Sequence, residues 1–229
     1  MTAFSQLSGT IAERIHCIRQ TLPDSVRLIA VTKQVSVAAM REAYAAGVRD
    51  FAENRVQEAE VKQAQLHDLT DVTWHLIGHL QSNKAQKALD CFQWIHSIDD
   101  LKLAQRLNHL AAQRSQKLQS LLQVKLLSDP NKYGWSAADL LRDLSALSHC
   151  ENLSIQGLMT ILPYGLAAAD ATVAFQKTAE LANTIRQQNL PHLQMQALSM
   201  GMSNDYALAV QSGATMIRLG RILFGDRQA

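Results

Sequence analysis

Apolar residues at Phe4, Leu7, Ile11, Ile15, Ile18 and Leu22 recur at spacings of three and four, which places them on one face of a helix ended by Pro23. A different pattern follows. The run Arg27 to Thr32 is short, apolar and rich in β-branched residues, as a buried strand would be, and Ser36 caps a second helix that stops at Gly47. The same alternation then returns, with strands predicted at Asp50–Ala52, Thr73–Ile77, Trp94–Ile98, Leu118–Leu127, Leu153–Ile161, Met195–Leu198 and Thr215–Leu219. Helical patterns lie between most of them. Their caps are predicted at Asp99, at Ser136 with Asp139 three residues on, and at Ser203 before a helix closed by Gly213.

Strand–helix units repeated along the chain, with mostly apolar strands and no shift of composition to mark a boundary, predict an α/β fold built as a single (β/α)8 TIM barrel over residues 1–229, with one extra helix at the N-terminus. The competing arrangement is an open Rossmann-like sheet. It fits less well, because the turn after the first strand reads TKQVS and lacks the glycines that bring a backbone close to a pyrophosphate.

Composition narrows the partners. Lys and Arg number 22 against 20 Asp and Glu, a net charge of +2 that makes no electrostatic case for nucleic acid. No stretch approaches the roughly 20 apolar residues of a membrane span. Three widely separated cysteines, Cys17, Cys91 and Cys150, argue against both a disulfide framework and a zinc site, and a reducing cytoplasm is the expected compartment.

In a barrel, functional groups collect at the C-terminal ends of the strands. Lys33 ends the first predicted strand. If it points inward, so do Val31 and Ile29, and an ammonium group over an apolar stack is suited to forming a Schiff base. By default a lysine in a βα turn is simply a surface residue. Other predicted strand ends add Glu53 and Asn54, then Gly78, His79, Gln81, Ser82 and Asn83, and Met159 with Thr160; each alone reads as a turn or cap residue. The loop Ser199-Met200-Gly201-Met202-Ser203 and the sequence Arg218-Leu219-Gly220-Arg221 are candidate anion cradles, with a helix N-terminus expected at Ile222. Both glycines are equally compatible with plain tight turns. Arg218 interrupts an apolar strand and needs an acceptor there, which a ligand, Glu53 or Asp205 would each supply.

The segments LIAVTK ending at Lys33, FAENRVQE from Phe51, WHLIGHLQSNK from Trp74, GLMTI from Gly157, LSMGMSND from Leu198 and IRLGRILFG from Ile217 together resemble the YggS-like pyridoxal phosphate homeostasis proteins. The resemblance implies a barrel like the N-terminal domain of alanine racemase, with pyridoxal 5′-phosphate held as an aldimine on Lys33. It further implies that Ser199, Gly201, Gly220 and residue 221 hold the phosphate, that Arg218 faces the pyridine nitrogen, and that Asn54 lines the pocket, with His79 and Met159 beside it. At 221 relatives carry a small hydroxyl residue, whereas this chain has Arg221.

An arginine at the pyridine nitrogen disfavours the protonated ring that amino-acid chemistry uses as an electron sink, and none of Tyr44, Tyr133, Tyr164 and Tyr206 is assignable as an acid/base group. The expected role is therefore a non-catalytic carrier: a monomer that stores, delivers or senses the cofactor, with pyridoxal phosphate-dependent apoenzymes as recipients and no metal. A minimal amino-acid racemase or lyase, a Schiff-base aldolase acting on a sugar phosphate, and a scaffold for protein contacts stand as alternatives.

Overall fold

Eight short parallel strands bury both faces of the sheet by closing on themselves under a ring of helices. The computed structural model describes residues 9–114, 117–127 and 132–225. In it β1 (Arg27–Val31), β2 (Asp50–Glu53), β3 (Thr73–Leu76), β4 (Trp94–Ile98), β5 (Leu118–Val124), β6 (Leu153–Thr160), β7 (Leu193–Ser199) and β8 (Met216–Leu219) pair in parallel in chain order. The barrel closes where Arg27 to Ala30 pair with Met216 to Leu219.

After each strand comes a helix: α2 (Val37–Ala45), α3 (Val56–Gln65), α4 (Ala85–Cys91), α5 (Leu101–Ala111), α6 (Ala137–Ser148), α7 (Ala168–Arg186), α8 (Tyr206–Gln211) and α9 (Arg221–Phe224). The extra helix, α1 (Ile11–Thr21), precedes the barrel and starts from a capping box in which Thr10 and Glu13 satisfy each other's backbone N–H. Phe4 and Leu7, placed on this helix from the sequence, lie outside the described residues. Since α9 is a single turn, the outer ring is thin beside β8. There α1 packs against both α9 and α2, with Arg14 donating to the Leu223 carbonyl (3.2 Å) and Arg19 to the Gly47 carbonyl (2.8 Å).

Side chains alternate as the pleat requires. Ile29, Ala52, Leu121, Met159, Ala197 and Met216 form an inner cluster along the lumen, whereas Leu28, Ala30, Phe51 and Leu76 pack outward under the helices.

Several boundaries differ from the sequence reading. α5 is capped by Asp100, which takes the Leu103 N–H at 2.7 Å, and not by Asp99. α8 begins only at Tyr206, after Asp205, and not at a Ser203 cap. β5 stops at Val124 because the chain turns and Trp135 bonds back to Gln123 and Lys125. β7 starts two residues early, since its first half alternates with the exposed Gln194 and Gln196 and lacks a continuous apolar run. Ser36 and Ser136 cap as predicted, at 3.2 and 3.1 Å.

Gly157, in β6, lies against Ala197 of β7, and a Cβ there would collide with the Ala197 carbonyl where the register shifts. Gly157→Ala is expected to lower stability by about 3 kcal/mol through overpacking. Urea unfolding would show it, and an unchanged midpoint would refute this account.

Candidate functional site

Parallel closure puts all eight C-terminal strand ends on one rim. β1 ends at Val31, and Thr32 adds one more ladder bond to the Ala52 carbonyl (2.9 Å) before the chain turns. Lys33 therefore stands two residues past the strand, half-buried in the turn, and does not itself close the strand. Ile29 and Val31 beneath it face the lumen, as alternation predicts. Gln34 follows with φ 59°, a left-handed conformation that costs a non-glycine residue about 1 to 2 kcal/mol. Something must hold it there.

The holding group is a buried cluster behind the turn. Lys62, on the inner face of α3, donates to the Thr32 carbonyl (2.6 Å), to Glu53 Oε1 (2.8 Å) and to Glu58 Oε1 (2.7 Å). Glu58 also takes the Gln34 N–H at 2.6 Å, so the backbone is pinned on both sides of Lys33. Burial pushes the Glu53 carboxyl upward, against the pull of Lys62 and the Thr32 hydroxyl. Glu58 is partly buried too, yet Lys62 and the Gln34 amide outweigh that and hold it below its ordinary value. Glu53 thus faces α3 and is no partner for Arg218.

Arg218 points into the barrel, on the same face as Met216, and is 2% exposed. Its acceptors are the Ser199 hydroxyl (2.8 Å) and the Thr160 carbonyl (2.8 Å), both at strand ends. Asp205, the other acceptor weighed from the sequence, gives its Oδ1 to the Met202 N–H and acts on Arg218 only through its charge. Burial pulls the guanidinium down to about 10, so it remains a cation at neutral pH, with no carboxylate hydrogen-bonded to it among the described residues. A buried cation so placed favours an acceptor arriving from the mouth.

The loops after β7 and β8 are tied into one piece. Arg218 donates its N–H to the Gly201 carbonyl (3.0 Å), and the Ile222 N–H meets Ser203 Oγ (3.4 Å). Gly201 is required by the fold: its φ is 92°, and a Cβ would sit 2.6 Å from that of Ala209. Gly220 is not explained that way. Its φ is negative, and a Cβ would meet nothing nearer than the Val31 carbonyl at 3.5 Å, so the space above it is open for a ligand. The helix beyond it begins at Arg221 and not at Ile222; being one turn long, it offers amide donors more than a dipole. Arg221 itself is exposed.

Asn54 and His79 line a cleft of about 300 Å³ beside the mouth, between the loops after β2 and β3, which Lys33 and Arg218 do not line. His79 is fixed by Asp99, 2.6 Å from its Nδ1, and lies flat on the Tyr133 ring at 3.8 Å. Met159 is fully buried in the lumen below Thr160. The sequence reading missed Lys62, His75 and His96. Each left a signal: Lys62 continues the buried stripe of Val56 and Ala59, and the two histidines interrupt strand patterns.

The family described as the alanine racemase N-terminal domain matches residues 8–228. The chain is 52% identical over 207 residues to a protein of Synechocystis named pyridoxal phosphate homeostasis protein, covering 90% of this chain and 94% of that one. It is 52% identical to PipY of Synechococcus elongatus PCC7942, solved with PLP bound, at a TM-score of 0.90 over 94% of this chain and 100% of the other. A Clostridium difficile alanine racemase, 14% identical at a TM-score of 0.75 over 96% of this chain and 60% of its own, shares the fold.

Removing Lys62 would strand a buried carboxylate. Lys62→Met is expected to cost about 3 to 5 kcal/mol in urea unfolding at neutral pH. In that variant the folded-state pKa of Glu53 is raised further above its unfolded value, so the folded form binds the proton first and the deficit shrinks as the pH falls towards 4.5. A deficit that stays constant with pH would contradict it.

Proposed function

Because this chain belongs to the family of pyridoxal phosphate homeostasis proteins, built on the alanine racemase N-terminal domain, we propose that it binds pyridoxal 5′-phosphate at the barrel mouth and holds it for use elsewhere. The observation that carries this reading is the placing of three unlike groups on one rim: an amine on a pinned turn, a buried cation short of an anion, and an open glycine. The cofactor supplies an aldehyde that condenses with a primary amine and a phosphate dianion that anchors it. Lys33 is the attachment point. The loops holding Gly201, Gly220 and Arg221 receive the phosphate, with the Arg221 guanidinium free to add charge from the surface in place of a hydroxyl. Asn54 and His79 stand at the side of the mouth, and Met159 forms part of its floor.

Arg218 faces the ring nitrogen. As a permanent donor it hydrogen-bonds the unprotonated nitrogen and opposes a proton there, which withholds the electron sink that turnover of amino acids requires. This supports a homeostasis role over an enzymatic one.

The proposed groups lie on one barrel whose family match runs over residues 8–228, which supports a single working unit over residues 1–229, and the role proposed for it is that of a monomer. The three cysteines are unpaired, in keeping with a reducing cytoplasm, and no described helix is long and apolar enough to cross a membrane. Apoenzymes that need the cofactor are the partners this role calls for.

The visible spectrum of the purified protein loaded with pyridoxal phosphate tests the reading. A band that borohydride fixes onto the Lys33 peptide, and that Lys33→Ala abolishes, is expected; a colourless protein would sink it. Gly220→Ala should leave stability within about 1 kcal/mol while weakening cofactor binding about tenfold or more. Equal affinity in this variant would place the phosphate elsewhere.

A further inference from the structure

A polar line climbs the inside of the barrel from the rim opposite the mouth to Arg218. It starts at Asp50, the first residue of β2, whose Oδ1 lies 3.2 Å from Arg27 Nε and 2.8 Å from His75 Nε2. His75 Nδ1 is 2.9 Å from His96 Nε2, and His96 Nδ1 is 2.9 Å from Ser199 Oγ across the lumen. Arg218 joins the line at the same hydroxyl. Arg27 and Asp50 reach solvent, whereas His75, His96 and Ser199 are fully buried.

Only one order of protons satisfies every link. Burial pulls both imidazoles down, His96 well below its ordinary value, and keeps them neutral even though Asp50 draws His75 the other way. A neutral imidazole has one N–H and one lone pair. The carboxylate accepts, so His75 carries its proton on Nε2 and offers Nδ1. His96 must then donate from Nε2, which leaves its Nδ1 to accept the Ser199 proton. At the other end a guanidinium can only donate, so it meets a serine lone pair. The two ends, an acceptor at the rim and a donor at the mouth, demand the same direction.

We propose that His96, its proton placed by His75 and Asp50, is a positioning residue for Arg218: it takes the Ser199 proton and so turns a serine lone pair onto the guanidinium that faces the cofactor ring. This rests on the proposed placing of the ring against Arg218. In this proton order the Ser199 hydroxyl gives its proton to His96 and its lone pair to Arg218 before any ligand enters. The aligned dipoles also connect the partly buried carboxylate of Asp50 at the far rim to the charge at the mouth.

Two measurements decide it. Long-range 1H–15N correlation spectra of the wild-type protein without added cofactor should show both buried imidazoles as Nε2–H tautomers; an Nδ1–H tautomer on either overturns the proposal. Wild type, His96→Phe and His96→Gln are then titrated with pyridoxal phosphate while its visible band is followed. Phenylalanine removes the lone pair, and a displaced band with about tenfold weaker binding is expected. Glutamine can accept from Ser199 through its oxygen and donate to His75 through its nitrogen, and should restore both. A folded His96→Phe protein with wild-type band and affinity, or a glutamine variant no better than phenylalanine, overturns the positioning role. A wild type that takes up no pyridoxal phosphate overturns the functional reading and the ring-facing clause, while the tautomers alone still decide the proton order.

Discussion

Closure is the constraint on which the rest depends. Once Arg27 to Ala30 pair with Met216 to Leu219, the sheet has no edge and the strands all run the same way, so Lys33, Asn54, Thr160, Ser199 and Gly220 must share a rim. None of these residues is near another in the chain except by this topology. The lumen that closure creates also shuts His75, His96, Ser199 and Arg218 away from bulk solvent, and that decides how its polar groups behave. A guanidinium or an imidazole so buried is costly unless it is hydrogen-bonded, and here the partners are protein groups.

The buried charges follow two different logics. Lys62 bridges Glu53 and Glu58 behind the β1 turn, although the second oxygen of Glu53 has no hydrogen-bond partner, and the result is a pinned backbone around Lys33 in place of a reactive group. Arg218 is instead held by a hydroxyl and a carbonyl, neutral acceptors that orient it and leave its charge uncompensated. A structural ion cluster sits behind the turn that carries the amine, and an unbalanced cation sits on the neighbouring strand, β8. That difference separates scaffold from site more clearly than exposure does, since Arg218 is as deeply buried as the groups of the ion cluster.

Much of this was legible in the sequence. The eight-fold alternation, the inward set of Ile29 and Val31, and the two glycine loops all follow from periodicity and turn chemistry, because each depends on residues close in the chain. Partners did not follow. Arg218 was expected to need an acceptor, but that it would be Ser199 and Thr160 and not Glu53 or Asp205 depends on strand tilt and on alternation at the ends of β6 and β7. The Asp99 cap slipped by one residue because adjacent aspartates offer the same chemistry, and only three dimensions show that Asp100 caps while Asp99 turns to His79. His75 and His96 were visible as interruptions in apolar strands, yet nothing local tells that they meet.

The seam sealed by α1 has a consequence for how the protein comes into being. The helix before β1 is held by the helix after β8, through Arg14 and the Leu223 carbonyl, and β1 waits for β8. The contacts that complete the mouth thus span some of the longest separations among the described residues, and a ribosome must release the chain through β8 before Lys33 and the Gly220 loop share a rim. A nascent or truncated chain carries the amine of Lys33 but not the β8 wall that stands beside it, so any chemistry that needs both groups begins only with the finished barrel.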